Sequence, residues 1–181
     1  MTRTQSRFLA AAAVTLALTA CSTAPKSPEG KADIRMDSDV ALANAEAMDS
    51  SLGSFCGDAY GIAVFPRVGK GAVGVGGAYG KGVLYQDGRM VGYCDLSQAS
   101  IGFQLGAQKY TEILCFEDKE SFNRFKTGKF TFNAQATAVA LKSGAGANAR
   151  YADGVSVFTM DESGLMFEAA IGGQKFSYQA I

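Results

Sequence analysis

Histidine and tryptophan are absent, and proline occurs only three times. Without histidine there is no Ser–His or Cys–His nucleophile pair and no imidazole metal ligand. An excess of positive charge is missing too: 17 basic residues balance 17 acidic ones. That argues against a nucleic-acid partner, which needs a basic footprint. It also leaves any lipid contact to a local patch rather than to overall charge. Glycine, in contrast, is abundant at 22 residues, alongside many Phe and Tyr. This mixture points to twisted, closely packed β-structure rather than a helical bundle.

The N-terminus reads as a targeting segment. Arg3 and Arg7 precede an apolar run, Phe8–Leu18, and Thr19-Ala20 place small residues just before Cys21. That order is expected of a secretory signal peptide over residues 1–20, and the run is too short to span a bilayer as a mature helix. The cysteine at the cleavage point resembles the lipobox of bacterial lipoproteins. The resemblance implies cleavage before Cys21, acyl chains on its sulfur and amine, and a cell-envelope protein anchored through them. Ser22 rather than Asp at the next position favours, by the same resemblance, the outer membrane, facing the periplasm or the surface. Arg3 and Arg7 leave with the signal, so the mature chain is slightly acidic.

Residues 21–36, polar and carrying Pro25 and Pro28, are expected to form a lipidated tether, and residues 37–181 one domain. Of the remaining cysteines, Cys115 lies in the apolar run Ile113–Phe116 and reads as a small buried hydrophobe. Cys56 with Cys94 is then the expected bridge if one forms, with three free thiols as the alternative.

Ser38 or Asp39 is expected to cap a helix running to about Leu52, with Val40, Leu42, Ala43, Ala47 and Met48 as its apolar face and Gly53 ending it. From Tyr60 the period changes to two. Gly61–Pro66 reads as a short strand stopped by proline, and Val73–Tyr85 as a glycine-rich strand. Asp87-Gly88 reads as a hairpin loop, with Met90–Leu96 returning. Ser100–Ala107 and Thr111–Phe116 read as further strands. Asp118–Phe125 reads as a short helix with Phe122 and Phe125 facing inward, and Lys129–Leu141 as another alternating strand. Gly144–Ala147 reads as a loop, Val155–Met160 and Leu165–Ile171 as a pair around 161–164, and Gln174–Tyr178 as the closing strand. The expected fold is α+β: a single domain dominated by antiparallel strands in a bent, barrel- or sandwich-like sheet, with an N-terminal helix and a short middle helix.

Several motifs invite chemistry. Gly69–Gly74 matches G-x-G-x-x-G, but a dinucleotide site needs a helix after it, and a strand pattern follows. The glycines are better explained by a bent or closely approached sheet. The carboxylate pairs Glu117–Asp118 and Asp161–Glu162 fall at a helix start and a turn, where capping and solvation explain them. No metal site, cofactor or catalytic residue is expected. The basic residues carry more information. Arg67, Lys70 and Lys81 flank the glycine-rich stretch, and Arg124, Lys126 and Lys129 follow the short helix with Phe125 and Phe130 interleaved. A local basic and aromatic rim suits a phosphate headgroup with acyl chains beside it.

Four stretches together carry a family resemblance. They are Gly61–Pro66, Gly74–Gly80 with Gly82–Leu84, Ile101–Gln108, and Phe122–Phe132 with Ala134 and Ala136. They resemble the SYLF domain, over roughly residues 38–181. The resemblance implies binding of anionic phospholipids and no enzymatic activity; a yeast relative binds and bundles actin. Eukaryotic members are similar in placing a basic amphipathic segment before the core. Here Met36–Pro66 has Asp37, Asp39, Glu46, Asp49 and Asp58 and no Lys or Arg. An acidic helix is repelled by an anionic leaflet, so this helix is not expected on the membrane. The expected function is therefore a membrane-anchored envelope lipoprotein that binds anionic phospholipid headgroups without catalysis. The alternative is a structural lipoprotein that holds a protein partner, actin-like or from a host, with no lipid affinity beyond its anchor.

Overall fold

The structure is a computed structural model. It describes residues 23–181 apart from 74, 102–105, 134–135, 141 and 162–167. The expected leader and Cys21 therefore lie outside the described residues, as does the expected turn over 162–164.

The fold is α+β, as the periodicities indicate. Two helices lead, α1 (Pro28–Met48) and α2 (Ser50–Gly57). Four long strands follow: β1 (Gly61–Val73), β2 (Val75–Gln86), β3 (Arg89–Ile101) and β4 (Gly106–Phe116). Helix α3 (Lys119–Lys126), strand β5 (Thr137–Ala140), a one-turn helix α4 (Ala145–Asn148), β6 (Val155–Asp161), β7 (Glu168–Ala170) and β8 (Lys175–Ala180) complete it. The strands form one eight-stranded sheet in the order β7-β5-β6-β4-β1-β2-β3-β8. Neighbours are antiparallel except β5 and β6, which run parallel.

The sheet cannot be flat. Strands β7 and β8 are its opposite edges, yet β7 ends at Ala170 and β8 begins at Lys175. Laid flat, eight strands would hold those edges roughly 34 Å apart. The connecting residues reach no more than about 18 Å. The sheet is therefore curled, and the segment around 130–136 fills the gap between its edges. There Gly173 N donates to Phe132 O at 3.1 Å, Ile171 N donates to Ala136 O at 3.1 Å, and Thr131 bridges Lys175. Side chains inside the curl form one core, with Phe65, Leu84, Leu96, Leu114, Phe116, Phe122, Phe125, Phe130 and Phe176. Side chains outside form a second, with Val64, Ile113, Cys115 and Phe158 beneath Ala41 and Ala45 of α1, Leu52 and Cys56 of α2, and Ala145 of α4.

Several local expectations need correction. Helix α1 starts at Pro28, so residues 28–36 are helix rather than tether. The signals are in the sequence: the Ser27 hydroxyl accepts from Gly30 N at 3.0 Å, Pro28 opens the first turn and Glu29 favours its dipole. The residues before it are docked as well, with Ala24 N donating to Gln179 Oε1 at 3.1 Å and Lys81 Nζ donating to Thr23 O at 2.9 Å. The buried face of α1 is Ser38, Ala41 and Ala45. Val40 is 53% and Met48 39% exposed, because the helix turns its smallest residues toward the strands, where close approach excludes longer ones. Proline does not stop β1. Pro66 sits at a register shift between Val64 and Arg67, a bulge that absorbs its missing N–H in a central strand. Of Leu165–Ile171, residues 165–167 lie outside the described residues and strand β7 pairs with β5, which separates it from β6. Of Lys129–Leu141, only Thr137–Ala140 is a strand among the described residues, and Ala145–Asn148 is a helix rather than a loop.

Other expectations hold. Asp87 and Gly88 have φ of 50° and 69° between Gln86 and Arg89, the left-handed pair that a two-residue hairpin needs. Asp118 caps α3 in a reciprocal capping box with Ser121, and Phe122 and Phe125 are buried.

Two contacts lock the outer layer. Asp49 ends α1 and caps α2, accepting from Ser51 N and from Ser51 Oγ at 2.7 Å, and from Gly144 N and Gly146 N of the α4 turn, the last at 2.6 Å. Burial alone would raise this carboxyl's pKa, but the four hydrogen bonds outweigh it and hold it below the ordinary value. Gly146 admits no side chain, since a Cβ there would lie 2.5 Å from Leu52 N. Cys56 of α2 is disulfide-bonded to Cys115 of β4, with Cα atoms 5.5 Å apart. This overturns the Cys56–Cys94 expectation: Cys94 is a buried free thiol on the inner face, while Cys115 faces outward beneath α2.

Two outcomes follow for this layer. Reducing the Cys56–Cys115 bridge should cost about 2–4 kcal/mol in a denaturant titration, and in the oxidised protein from residue 22 onward a thiol reagent should label only Cys94, and only after unfolding. Asp49→Ala should cost about 1–3 kcal/mol by leaving buried donors unpaired. Because the folded pKa of Asp49 is depressed, its contribution is present above the unfolded value and should fade as pH falls below about 4.

Candidate functional site: a basic rim and an apolar cleft

The six candidate headgroup residues separate into two groups. Arg67 and Lys81 are register partners across β1 and β2, so like charges sit opposite one another. Helix α1 answers them. Asp37 takes the guanidinium of Arg67 in an ion pair, and Lys81 is bonded to Thr23 O with its ammonium 5.9 Å from the Tyr79 ring. A hollow of about 310 Å³ beneath α1 holds Asp33 and Asp37 together with Arg67 and Lys81. Its charges balance, so it is a poor anion site. Lys70 lies half-buried farther along β1. The acidic stretch of α1 thus has a structural reason: it neutralises the basic pair on the strands below.

The second group lies at the end of the curl. Helix α3 plugs the inner core with Phe122 and Phe125. Phe122 packs edge-on to Tyr60 and Phe116, and Phe125 lies 5.0 Å from Phe176. Its last turn then presents cations over aromatic faces. Arg124 lies 5.4 Å from the Phe130 ring centroid, and Lys126 lies 5.5 Å from Phe122 and 5.1 Å from Tyr178. Such stacking holds the stems in place while the ammonium of Lys126 stays half-exposed. Arg124 is committed to structure, since it donates to both Asp153 carboxylate oxygens at 3.2 Å and to Asp153 O at 2.6 Å. Lys129 is fully exposed at the start of the bridging segment.

Beside this rim a cleft of about 600 Å³ opens between the bridging segment, β5 and β6. Phe132, Ala136, Val139, Val155, Val157 and Ile171 supply its apolar lining, and Thr131, Asn133, Thr137, Arg150 and Asp153 its polar edge. Asp153 belongs to both places, edging the cleft while gripped by Arg124. Lys129 is two residues from Thr131, so their backbones are within about 7 Å, and Lys175 is bridged to Thr131. Arg150 thus lines the cleft itself, while Lys129 and Lys175 sit next to its lining residue Thr131, one along the chain and one across the bridge.

Inside the curl sits a second polar group. Glu112 is fully buried on β4, with Gln174 Nε2 donating to Oε2 at 3.0 Å and Tyr110 also bonding the carboxylate. Burial raises its pKa to about 7 against the lowering effect of those bonds. Glu112 Oε1, Gln174 Oε1 and Thr159 Oγ1 have no hydrogen-bond partner among the described residues. Thr159 is directly across from Glu112 in the β4–β6 register.

Gly69–Val73 lie within β1, which passes toward β2 without an intervening helix, so the dinucleotide context is absent there. The bland reading of Asp118 holds, because it caps α3. Asp161 belongs to β6, opposite Tyr110, rather than to a turn. Sequence reasoning passed over Glu112, Arg150 and Lys175. Glu112 shares strand parity with Tyr110, Leu114 and Phe116, which was a usable signal. Nothing local marks Arg150, which lines the cleft, or Lys175, which the topology bridges to the lining residue Thr131.

The architecture is thus a curled sheet with a plugged end, a basic and aromatic rim, and an apolar cleft. Comparison places it more closely. Residues 97–180 match the Ysc84 (SYLF) domain family, described as "Las17-binding protein actin regulator", in agreement with the motifs. The match runs from within β3 to β8 and includes α3, the bridging segment and the cleft. "Beta cell expansion factor A" of Aeromonas veronii is 30% identical over 84 residues, covering 46% of this chain and 32% of that protein. The match thus spans about a third of that relative's length. These similarities support a lipid- or protein-interaction role.

The buried carboxyl makes a pH prediction. Its folded pKa lies above the unfolded value, so its protonated form stabilises the fold. That contribution is complete below pH ~4.5 and is lost as pH rises toward about 7, a fall of up to ~3 kcal/mol. Glu112→Gln should flatten the slope of unfolding free energy against pH between 5 and 7 in urea titrations.

Proposed function

We propose that this protein is a membrane-anchored envelope lipoprotein, acylated at Cys21, whose SYLF-type domain binds anionic phospholipid headgroups and performs no catalytic step. The observation that carries the reading is a juxtaposition: Lys126 over two ring faces with the exposed Lys129 three residues on, and an apolar cleft lined by Arg150, whose lining residue Thr131 is bridged to Lys175. Headgroup phosphate suits the cations, and hydrocarbon suits the rings and the cleft. Of the six basic residues singled out in the sequence, Lys126 and Lys129 carry headgroup binding. Arg124 positions the rim through Asp153, and Arg67 and Lys81 serve α1, with Lys70 left on their strand. No helix among the described residues is long and apolar enough to cross a membrane, so in this reading attachment falls to the acyl chains. Thr23 and Ala24 are fixed to the sheet, so the anchor at Cys21 holds the domain within a few residues of the bilayer.

A second reading has its own observation. Met36, Val40, Ala43 and Ala47 lie on one exposed face of α1, with Met36 60% and Val40 53% exposed. Asp33 and Asp39 flank them. Such a face suits a protein groove with a basic edge, and the family description names a protein-binding actin regulator.

Co-sedimentation of residues 22–181 with vesicles separates the two. The proposal expects binding to phosphatidylglycerol vesicles, weakened by salt, and little binding to phosphatidylcholine. Lys126→Glu and Lys129→Glu should each weaken it about five-fold or more, at roughly 1 kcal/mol per basic residue, while Met36→Lys should not. Loss of a co-purifying protein in Met36→Lys, with no vesicle binding by the parent protein, would favour the protein-partner reading.

A further inference from the structure

We infer that the cleft between β5 and β6 takes up one alkyl chain of an anionic amphiphile. The domain then holds a chain inside its sheet rather than only resting on a layer of headgroups. This deepens the headgroup reading and rests on it for the anionic end.

The topology makes the opening. Strands β5 and β6 run parallel, and among the described residues they share only the pairs Val139–Phe158 and Ala140–Thr159. Before Val139 the chain leaves β6 and is bonded instead to Ile171 and Gly173. On the side away from β4, Val155 is hydrogen-bonded to Ala152, and no strand among the described residues pairs with that part of β6 there. The space left is about 600 Å³, within the range of roughly 300–1,000 Å³ typical of small-molecule sites. Its floor is the inner core itself: Val155, Val157 and Ile171 are 2%, 5% and 1% exposed, with Phe132 and Ala136 packed against the same cluster. Apart from the Ser156 hydroxyl, this lining favours hydrocarbon.

The mouth supplies the sign of the charge. Arg150 is exposed there and spends one N–H on Ala149 O at 2.7 Å. Lys175 and Lys129 flank Thr131, and the carboxylate at the edge, Asp153, is held by Arg124. An anionic end is attracted and a cationic one repelled. The cleft adjoins the α3 rim, so one molecule can place its head on the cations and its chain in the core.

The test is calorimetric titration of residues 22–181, the span that carries the whole described fold. The probes are glycerol phosphate, hexyl phosphate and octyl phosphate, below their micelle-forming concentrations. Each methylene transferred from water is expected to tighten binding by up to about four-fold. Octyl phosphate should therefore bind several-fold more tightly than hexyl phosphate, and both more tightly than glycerol phosphate. An octyl trimethylammonium cation should bind more weakly than octyl phosphate. Thr137→Trp at the exposed edge and Val157→Phe on the floor should each remove the chain-length dependence. If Val157→Phe fails to fold, Thr137→Trp still decides. Affinity independent of chain length in the parent protein, or chain-length dependence unchanged in a folded Thr137→Trp, overturns the inference. So does a concentration-dependent dimer that Thr137→Trp abolishes, which would make a second copy the occupant. Vesicle binding retained without chain-length dependence would leave the headgroup reading standing alone. Chain-length dependence without vesicle binding would support the cleft and remove the membrane reading.

Discussion

The short link between Ala170 and Lys175 constrains everything else in this fold. It ties the two outer strands of one sheet together, so the sheet must curl, and curling gives it an inside and an outside. The inside fills with phenylalanines whose rings pack tilted or edge-on with centroids 5–6 Å apart, and α3 closes one end with Phe122 and Phe125. The outside is covered by α1, α2 and α4, stapled by Cys56–Cys115 and clamped by Asp49. The closure is incomplete because β5 and β6 pair over so short a length. The cleft is the remainder of that closure, which is why its floor is core rather than surface.

Electrostatics then distinguishes regions that composition alone cannot. A chain with no net charge looks indifferent to an anionic membrane. In the folded protein the acidic residues of α1 meet the basic pair on β1 and β2, and Asp153 meets Arg124. Those pairings take up none of Lys126, Lys129, Arg150 and Lys175, the cations around α3 and beside the cleft. Neutralised pairs at the surface add little stability. Their effect is to decide which face presents a field.

Much of the architecture was legible in the sequence because it is local. Period-two alternation marks β2, β3 and β4, Asp87-Gly88 marks the hairpin, and Asp118 with Phe122 and Phe125 marks α3. The start of α1 was legible too, in Ser27, Pro28 and Glu29, but the neighbouring prolines and lysines resemble a linker. What sequence could not reveal is non-local. The insertion of β5 between β6 and β7 depends on how the edges meet, and the partner of Cys56 depends on which side of β4 faces α2. Cys115 looks like a buried hydrophobe in an apolar run, and it is buried; only the strand's parity makes it the bonding partner. For the site, residue type was informative and position was not. Six cations were visible, but only the fold shows that Arg67 and Arg124 are paired while Arg150 lines the cleft and Lys175 is bridged to its edge at Thr131.

Glycine shows the same limit. The run that mimics a nucleotide fingerprint lies on β1, with its last glycine beyond the described residues. On the neighbouring strand Gly82 has no room for a side chain, since a Cβ would lie 2.4 Å from Val64 O. Closely packed, curled strands demand the residue that a phosphate loop also demands, for different reasons.

The most direct test of the central claim is hydrogen–deuterium exchange of residues 22–181 with and without phosphatidylglycerol vesicles. The account predicts new protection confined to the end of α3, the bridging segment and the 150–157 stretch, with α1 unchanged. Protection centred on α1, or none at any position under conditions where the protein sediments with the vesicles, would contradict it.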